Sequence, residues 1–206
     1  MEVISIAFVC TGNRFRSVLA EAFVRRLTLG LPVTTESFGT LELDGAPPLP
    51  EAVKLARWSG VDVTGHTTRC VSGASLADLD LVLGFDVSHV RQAVVEAQAR
   101  RDRSFTMKEL VRVLDEVRPA EQDNVVARAR DAIRQAEALR ASELAPRLSD
   151  GMRDPLGSSW KVYQETAAEV RELSLKLVSA LFGVTDAGVL PPLPRKSSRR
   201  MKLRPR

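Results

Sequence analysis

Apolar residues along the chain fall into two rhythms, and their order predicts the architecture. Residues 3–9 form a short run that is apolar on both faces, as a buried parallel strand is. The period then changes. Val18, Leu19, Ala22, Phe23 and Leu27 recur at helical spacing to about residue 29, with Ser17 where an N-cap belongs. Further strands are predicted at 33–38 and 79–84, and a short, edge-like one at 103–107. Helices are predicted at 51–59, where Trp58 reads as core, from a cap at Asp86 to about 101, and at 108–116 behind a cap at Thr106. Gly45, Pro47, Pro48 and Pro50 mark a surface loop after the second strand. Strands alternating with helices predict a three-layer α/β fold, a four-stranded parallel sheet with helices on both faces.

Residues 120–144 depart from that rhythm. They are rich in Ala, Arg and Glu, and Val125, Val126, Ala129, Ile133, Ala136 and Leu139 lie at near-helical spacing, which predicts one long amphipathic helix. A last helix is predicted at 160–182 behind Ser158 or Ser159. Past Gly183 the chain turns to Pro-Pro-Leu-Pro and basic residues, a composition that cannot bury a core. The organisation read from this is one domain over 1–184, with a helical insertion at about 118–148, and a disordered Pro-rich basic tail over 185–206.

Composition sharpens three points. At 44% apolar, 206 residues suffice for one buried core. The net charge of +4 is unevenly placed: the tail holds seven Lys or Arg and one Asp, or +6, so the body carries −2. That argues against nucleic-acid binding by the folded domain and leaves the tail to contact an acidic partner or surface. No apolar run approaches the roughly 20 residues of a membrane helix, and the first residues lack the basic and apolar regions of a secretory signal. The expected location is cytoplasmic, and a reducing compartment suits a chain whose cysteines are Cys10 and Cys70 alone.

The chemistry concentrates in Cys10-Thr11-Gly12-Asn13-Arg14-Phe15-Arg16-Ser17, which joins the first strand to the first helix. Successive backbone N–H groups in such a loop curl around an oxyanion, and the following helix N-terminus adds partial positive charge. Arg16 can close a two-pronged grip on phosphate, with the Cys10 sulfur beneath it.

Cys-Thr-Gly-Asn-x-x-Arg-Ser resembles the signature loop of the low-molecular-weight protein tyrosine phosphatases, within an arsenate-reductase-like superfamily. Asp154-Pro155 resembles that family's acid-bearing pair, and Ser37-Phe38-Gly39-Thr40 and the stretch from Gly60 to Arg69 are also similar. The likeness covers most of 1–115 and 150–183. It implies the strand order 2-1-3-4, with the site at the carboxyl ends of the strands. It implies hydrolysis of phosphate monoesters, protein phosphotyrosine foremost, through a cysteinyl-phosphate intermediate and without cofactor or metal. Cys10 would be the nucleophile. Arg16 would neutralise transition-state charge. Asp154 would protonate the leaving oxygen and later take a proton from water, aimed by Pro155. Thr11, Gly12, Asn13, Arg14, Phe15, Arg16 and Ser17 would line the phosphate, with Arg14 and Phe15 towards the rim. Asn13 would stiffen the loop, and His66 would stand near it as a structural support. Asp150 is a nearby rival acid with no proline after it.

Two departures bear on specificity and on other activities. Leu156 follows Asp-Pro where phosphotyrosine-selective members carry an aromatic residue, and Phe15 stands where many have a second cysteine that protects the nucleophile. Arsenate reduction uses the same anion loop but needs relay cysteines, for which Cys70 is the candidate. A catalytically weak phospho-binding regulator is the remaining alternative, against which Cys10, Arg16, Ser17 and Asp154 stand together.

Overall fold

The chain alternates β1 (Ile4–Cys10), α1 (Arg16–Leu27), β2 (Val33–Gly39), α2 (Pro50–Trp58), β3 (Leu81–Gly84), α3 (Val87–Glu96), β4 (Ser104–Thr106) and α4 (Met107–Leu114), then α5 (Val125–Ser142) and α6 (Trp160–Phe182). The computed structural model describes residues 2–43, 45–118, 124–142, 147–184 and 190–193. All four strands are parallel, in the order β2-β1-β3-β4. β1 pairs with β2 from Ile4↔Val33 to Cys10↔Gly39, so its last residue, Cys10, lies at the carboxyl edge of the sheet.

Side chains on β1 alternate between two cores, as the two-residue period of a strand requires. Ile4, Ile6, Phe8 and Cys10 face a large core shared with α1, α2, α4, α5 and α6. Ala7 and Val9 face a smaller one made with Phe38, Val71, Leu76 and Ala93 of α3. The layers are therefore unequal. One helix covers one face, and the other helices crowd onto the opposite face, with α6 packed along α1.

Several boundaries differ from the sequence reading for physical reasons. α1 begins at Arg16, with Phe15 at the N-cap and no side-chain capping bond, so Ser17 lies inside the first turn. α3 stops at Glu96, well short of residue 101, because Gln98 takes a positive φ of 59° that no helix interior accommodates. Asp86 does cap α3, accepting from Ser88 N. Thr106 caps α4 in a reciprocal pair with Glu109: Thr106 Oγ1 accepts from Glu109 N at 3.2 Å, and Glu109 Oε2 from Thr106 N at 3.1 Å. Trp58 is half-buried, set edge-on to Trp160 at 5.7 Å.

α5 occupies the predicted insertion, whose flanks 119–123 and 143–146 lie outside the described residues. It buries Val126, Ala129, Ala132, Ile133 and Ala136 against the domain. Its Arg140 is also buried, donating to Ser104 O at 2.6 Å and Arg101 O at 2.9 Å with its guanidinium 3.9 Å from the Phe105 ring centroid. The tail expected to be disordered from residue 185 needs correction at its start. Leu190 is fully buried, its carbonyl accepts from Arg171, and Leu193 packs on the same core. The remaining basic stretch, 194–206, lies outside the described residues.

Candidate active site

Peptide planarity sets the anion loop's polarity. A C=O turned outward turns the next N–H inward, because the two are antiparallel across a trans peptide. Thr40 N donates to Cys10 O at 3.0 Å and to Thr11 O at 2.9 Å, His66 Nε2 to Asn13 O at 2.9 Å, and Leu49 N to Arg14 O at 2.9 Å. With those carbonyls engaged from outside, the amides of Thr11, Gly12, Arg14 and Phe15 are left for the concave side. A loop of this kind cradles an oxyanion.

Asn13 makes the curl possible. It sits at φ 49°, in the left-handed region that Asn tolerates better than other side chains. Its Nδ2 donates to Ser17 Oγ and Ser37 Oγ, both at 2.9 Å, and its Oδ1 accepts from Arg69 N at 3.0 Å. Ser37 passes its own hydrogen to Glu21 Oε2 at 2.6 Å. Ser17 Oγ, already an acceptor from Asn13, lies 3.0 Å from Cys10 Sγ, so its hydrogen is available to the sulfur. Ser17 thus serves the Cys10 sulfur instead of the helix end. His66 stands where the resemblance places it, beside Asn13; burial draws its pKa below the ordinary value, and its bond to Asn13 O acts the other way.

Arg16 is 3% exposed and braced on three sides. Nη1 donates to Met152 O at 3.0 Å, and Nη2 to Thr11 Oγ1 at 3.1 Å and to Asp154 Oδ2 at 2.5 Å. The acid loop is fastened to the sheet as well, since Met152 N donates to Phe85 O at 2.7 Å. Asp154 is 43% exposed, and its Oδ1 accepts from Leu156 N at 3.1 Å, which fixes the carboxylate over the loop. Asp150, the rival acid, is placed differently. It is buried, paired to Arg112 at 2.9 Å, and accepts from Arg147 N at 2.8 Å.

Cys10, Thr11, Arg16 and Asp154 meet in a cleft of about 80 Å³ whose mouth is formed by Leu41, Leu43, Leu49 and Leu156. Two expected site residues have side chains engaged by other partners. Arg14 turns its Nε to Pro47 O at 2.8 Å, and Phe15 is buried with its ring edge-on to Tyr163 at 5.1 Å. His89 was not anticipated: its Nε2 lies 3.0 Å from Thr11 Oγ1, across 78 residues of sequence that carry no local signal of the meeting. Among the described residues no group of His, Cys, Asp and Glu could hold a metal ion, and no helix is long and apolar enough to cross a membrane.

Residues 5–136 match the family model described as low molecular weight phosphotyrosine protein phosphatase. A probable low molecular weight protein-tyrosine-phosphatase, EpsP, of Ralstonia nicotianae is 28% identical over 106 residues, covering 52% of this chain and 72% of that protein. A protein-arginine-phosphatase of Bacillus subtilis is 32% identical over 108 residues, covering 52% and 71%. The crystal structure of a low molecular weight protein tyrosine phosphatase from T. tengcongensis superposes with a TM-score of 0.61 at 28% identity, over 86% of this chain and 99% of that one.

Proposed function

This chain belongs to the low molecular weight phosphotyrosine protein phosphatase family, and from that membership we propose that it hydrolyses phosphotyrosine in proteins with Cys10, Arg16 and Asp154 as its catalytic residues. The observation that carries the assignment is the convergence of a cysteine sulfur, inward-facing amides, a buried arginine and a carboxylate on one cleft at the end of β1.

The reaction follows from those positions. The phosphoryl oxygens take the loop amides, and the Arg16 fork supplies the charge that now holds Asp154. Cys10 Sγ attacks phosphorus, the S–P bond forms, and the P–O bond to the leaving group breaks as that oxygen receives a proton from Asp154. Water then attacks phosphorus, gives its proton to Asp154, and releases Cys10 as a sulfur anion. Ser17, donating to the sulfur, stabilises it at both ends of the cycle.

The aliphatic mouth of Leu41, Leu43, Leu49 and Leu156 supports an uncharged aryl ring in the cleft. Relay through Cys70, as arsenate reduction requires, is disfavoured by spacing. Cys10 pairs with Gly39, and Gly39 bridges to Cys70 on its other side. Two strand spacings of about 4.8 Å put nearly 10 Å between the cysteine Cα atoms, beyond the ~7 Å a disulfide spans. A cytoplasmic setting suits a thiol nucleophile.

The test is steady-state hydrolysis of an aryl phosphate by wild type and Cys10→Ser, followed by matched phosphotyrosine and phosphoarginine peptides. Wild type should turn over the aryl ester and the phosphotyrosine peptide, and folded Cys10→Ser neither. Activity in Cys10→Ser would overturn the nucleophile, and a preference for phosphoarginine would overturn the substrate.

A further inference from the structure

His89 has no place in the reaction as derived, yet it touches the machinery. The side chain is 4% exposed, enters from the first turn of α3, and sets Nε2 3.0 Å from Thr11 Oγ1. Its Nδ1 is buried with no hydrogen-bond partner among the described residues. The same Thr11 oxygen accepts from Arg16 Nη2 at 3.1 Å, and Thr11 lines the cleft beside Cys10. The ring is neutral near pH 7. Burial, then the Arg16 charge, bring its pKa down to about 4 against the opposing pull of Asp86 and Asp154.

A neutral imidazole carries one N–H, and the surroundings choose which nitrogen holds it. A proton on Nδ1 would bury an N–H without an acceptor, which costs more than an idle lone pair. A proton on Nε2 has an acceptor waiting in Thr11 Oγ1. Thr11 Oγ1 then receives two donors, Arg16 and His89, and both lone pairs of the hydroxyl are taken. The hydroxyl's own hydrogen remains, free to meet an acceptor in the cleft.

We propose that His89 is a positioning residue which, as the Nε2–H tautomer, commits the Thr11 hydroxyl to donate to the phosphoryl group held over Cys10. The role rests on the phosphatase reading above. His89 neither gains nor loses a proton in the reaction, and it acts through Thr11 alone. Thr11 thereby adds a side-chain donor to the ring of loop amides, at the point where Arg16 also binds.

Two measurements test this. Long-range ¹H–¹⁵N spectra of the imidazoles in the wild-type protein at pH 7 report the tautomer directly, and His66 and His89 are the chain's two histidines. The set missing from His89→Gln identifies His89; protonated Nε2 is expected, and protonated Nδ1 overturns the proposal whatever the activity. The second is a cycle of Thr11→Val, His89→Leu and the double variant. Each single change should lower aryl phosphate kcat/KM about 10-fold, the worth of one hydrogen bond to a charged group, with a parallel weakening of competitive inhibition by inorganic phosphate. The double variant should lose no more than Thr11→Val does, because His89 works through that hydroxyl. His89→Gln keeps an N–H donor and should recover most of the loss. Independent losses that multiply to about 100-fold would make His89 merely structural and sink the proposal. If His89→Leu does not fold, His89→Gln and the spectra still decide. An inactive wild type would defeat the phosphatase reading itself, an outcome separate from the tautomer.

Discussion

Replacing Asn13 isolates what holds the anion loop in shape. The Asn13→Ala change deletes three hydrogen bonds, two buried ones to Ser17 Oγ and Ser37 Oγ and a partly buried one from Arg69 N. At about 1 kcal/mol net for each, the loss is about 3 kcal/mol. Alanine must also adopt φ 49°, where a Cβ crowds the backbone, and that adds about 1–2 kcal/mol. The expected destabilisation is therefore about 4–5 kcal/mol, a large part of the roughly 5–15 kcal/mol that holds a domain together. Asn13→Gly loses the same bonds but none of the left-handed strain, and should be more stable than Asn13→Ala by about 0.5–1 kcal/mol after the entropy of glycine is counted. Urea unfolding of the three proteins at pH 7, with the slope m unchanged, reads both quantities. A loss below about 1 kcal/mol in Asn13→Ala would refute the hydrogen-bond argument. A glycine variant less stable than the alanine one would refute the backbone argument. Turnover should fall in both, since Ser17 loses the donor that orients it towards Cys10.

Three further outcomes are expected. Asp154→Asn should slow phenyl phosphate turnover by roughly 10²–10⁴-fold and a nitrophenyl ester less, with the cysteinyl phosphate still detectable, whereas Asp150→Asn should lower stability; a leaving-group-dependent loss in Asp150→Asn instead would exchange their roles. Removing residues 194–206 should leave both melting temperature and aryl phosphate hydrolysis nearly unchanged, while Leu190→Ala, which empties a fully buried site, should cost about 2–5 kcal/mol; equal effects would show that Leu190 does not anchor this segment. His89, with a folded pKa of about 4 below its ordinary 6.5, makes the unfolded chain the better proton acceptor between those values, so its contribution is whole above pH 6.5 and up to about 3 kcal/mol is lost as pH falls to 4. The urea midpoint of His89→Gln should accordingly decline less between pH 7 and 4 than that of wild type.

The sequence was legible where a feature is local or periodic. The strands, α6 from Trp160 to Phe182 and the caps at Asp86 and Thr106 all announce themselves within a few residues. The loop from Cys10 to Ser17 announced its chemistry through residue type and spacing, and the structure puts Arg16 and Asp154 over it. The misreadings came from competition. Ser17 has the chemistry of a helix cap but spends its hydroxyl on Cys10, so the helix begins without one. Phe15 was placed at the rim because it lies in a polar loop, yet Tyr163, far along the chain, supplies a buried partner for its ring. His89 and Leu190 share that character. Their partners, Thr11 and Arg171, are fixed by tertiary packing, which no window of sequence contains.

The arginine at the inner face of α5 has a meaning beyond the catalytic cleft. β4 is the outermost strand of the sheet, and the free side of such a strand is a template on which another polypeptide can add itself. Arg140 occupies the Ser104 carbonyl of β4 and lays its guanidinium over Phe105. α5 is therefore fastened to that outermost strand by one buried cation. Cutting out α5 would leave the Ser104 carbonyl without that donor and the Phe105 ring without its cover, on the strand where an added chain would pair.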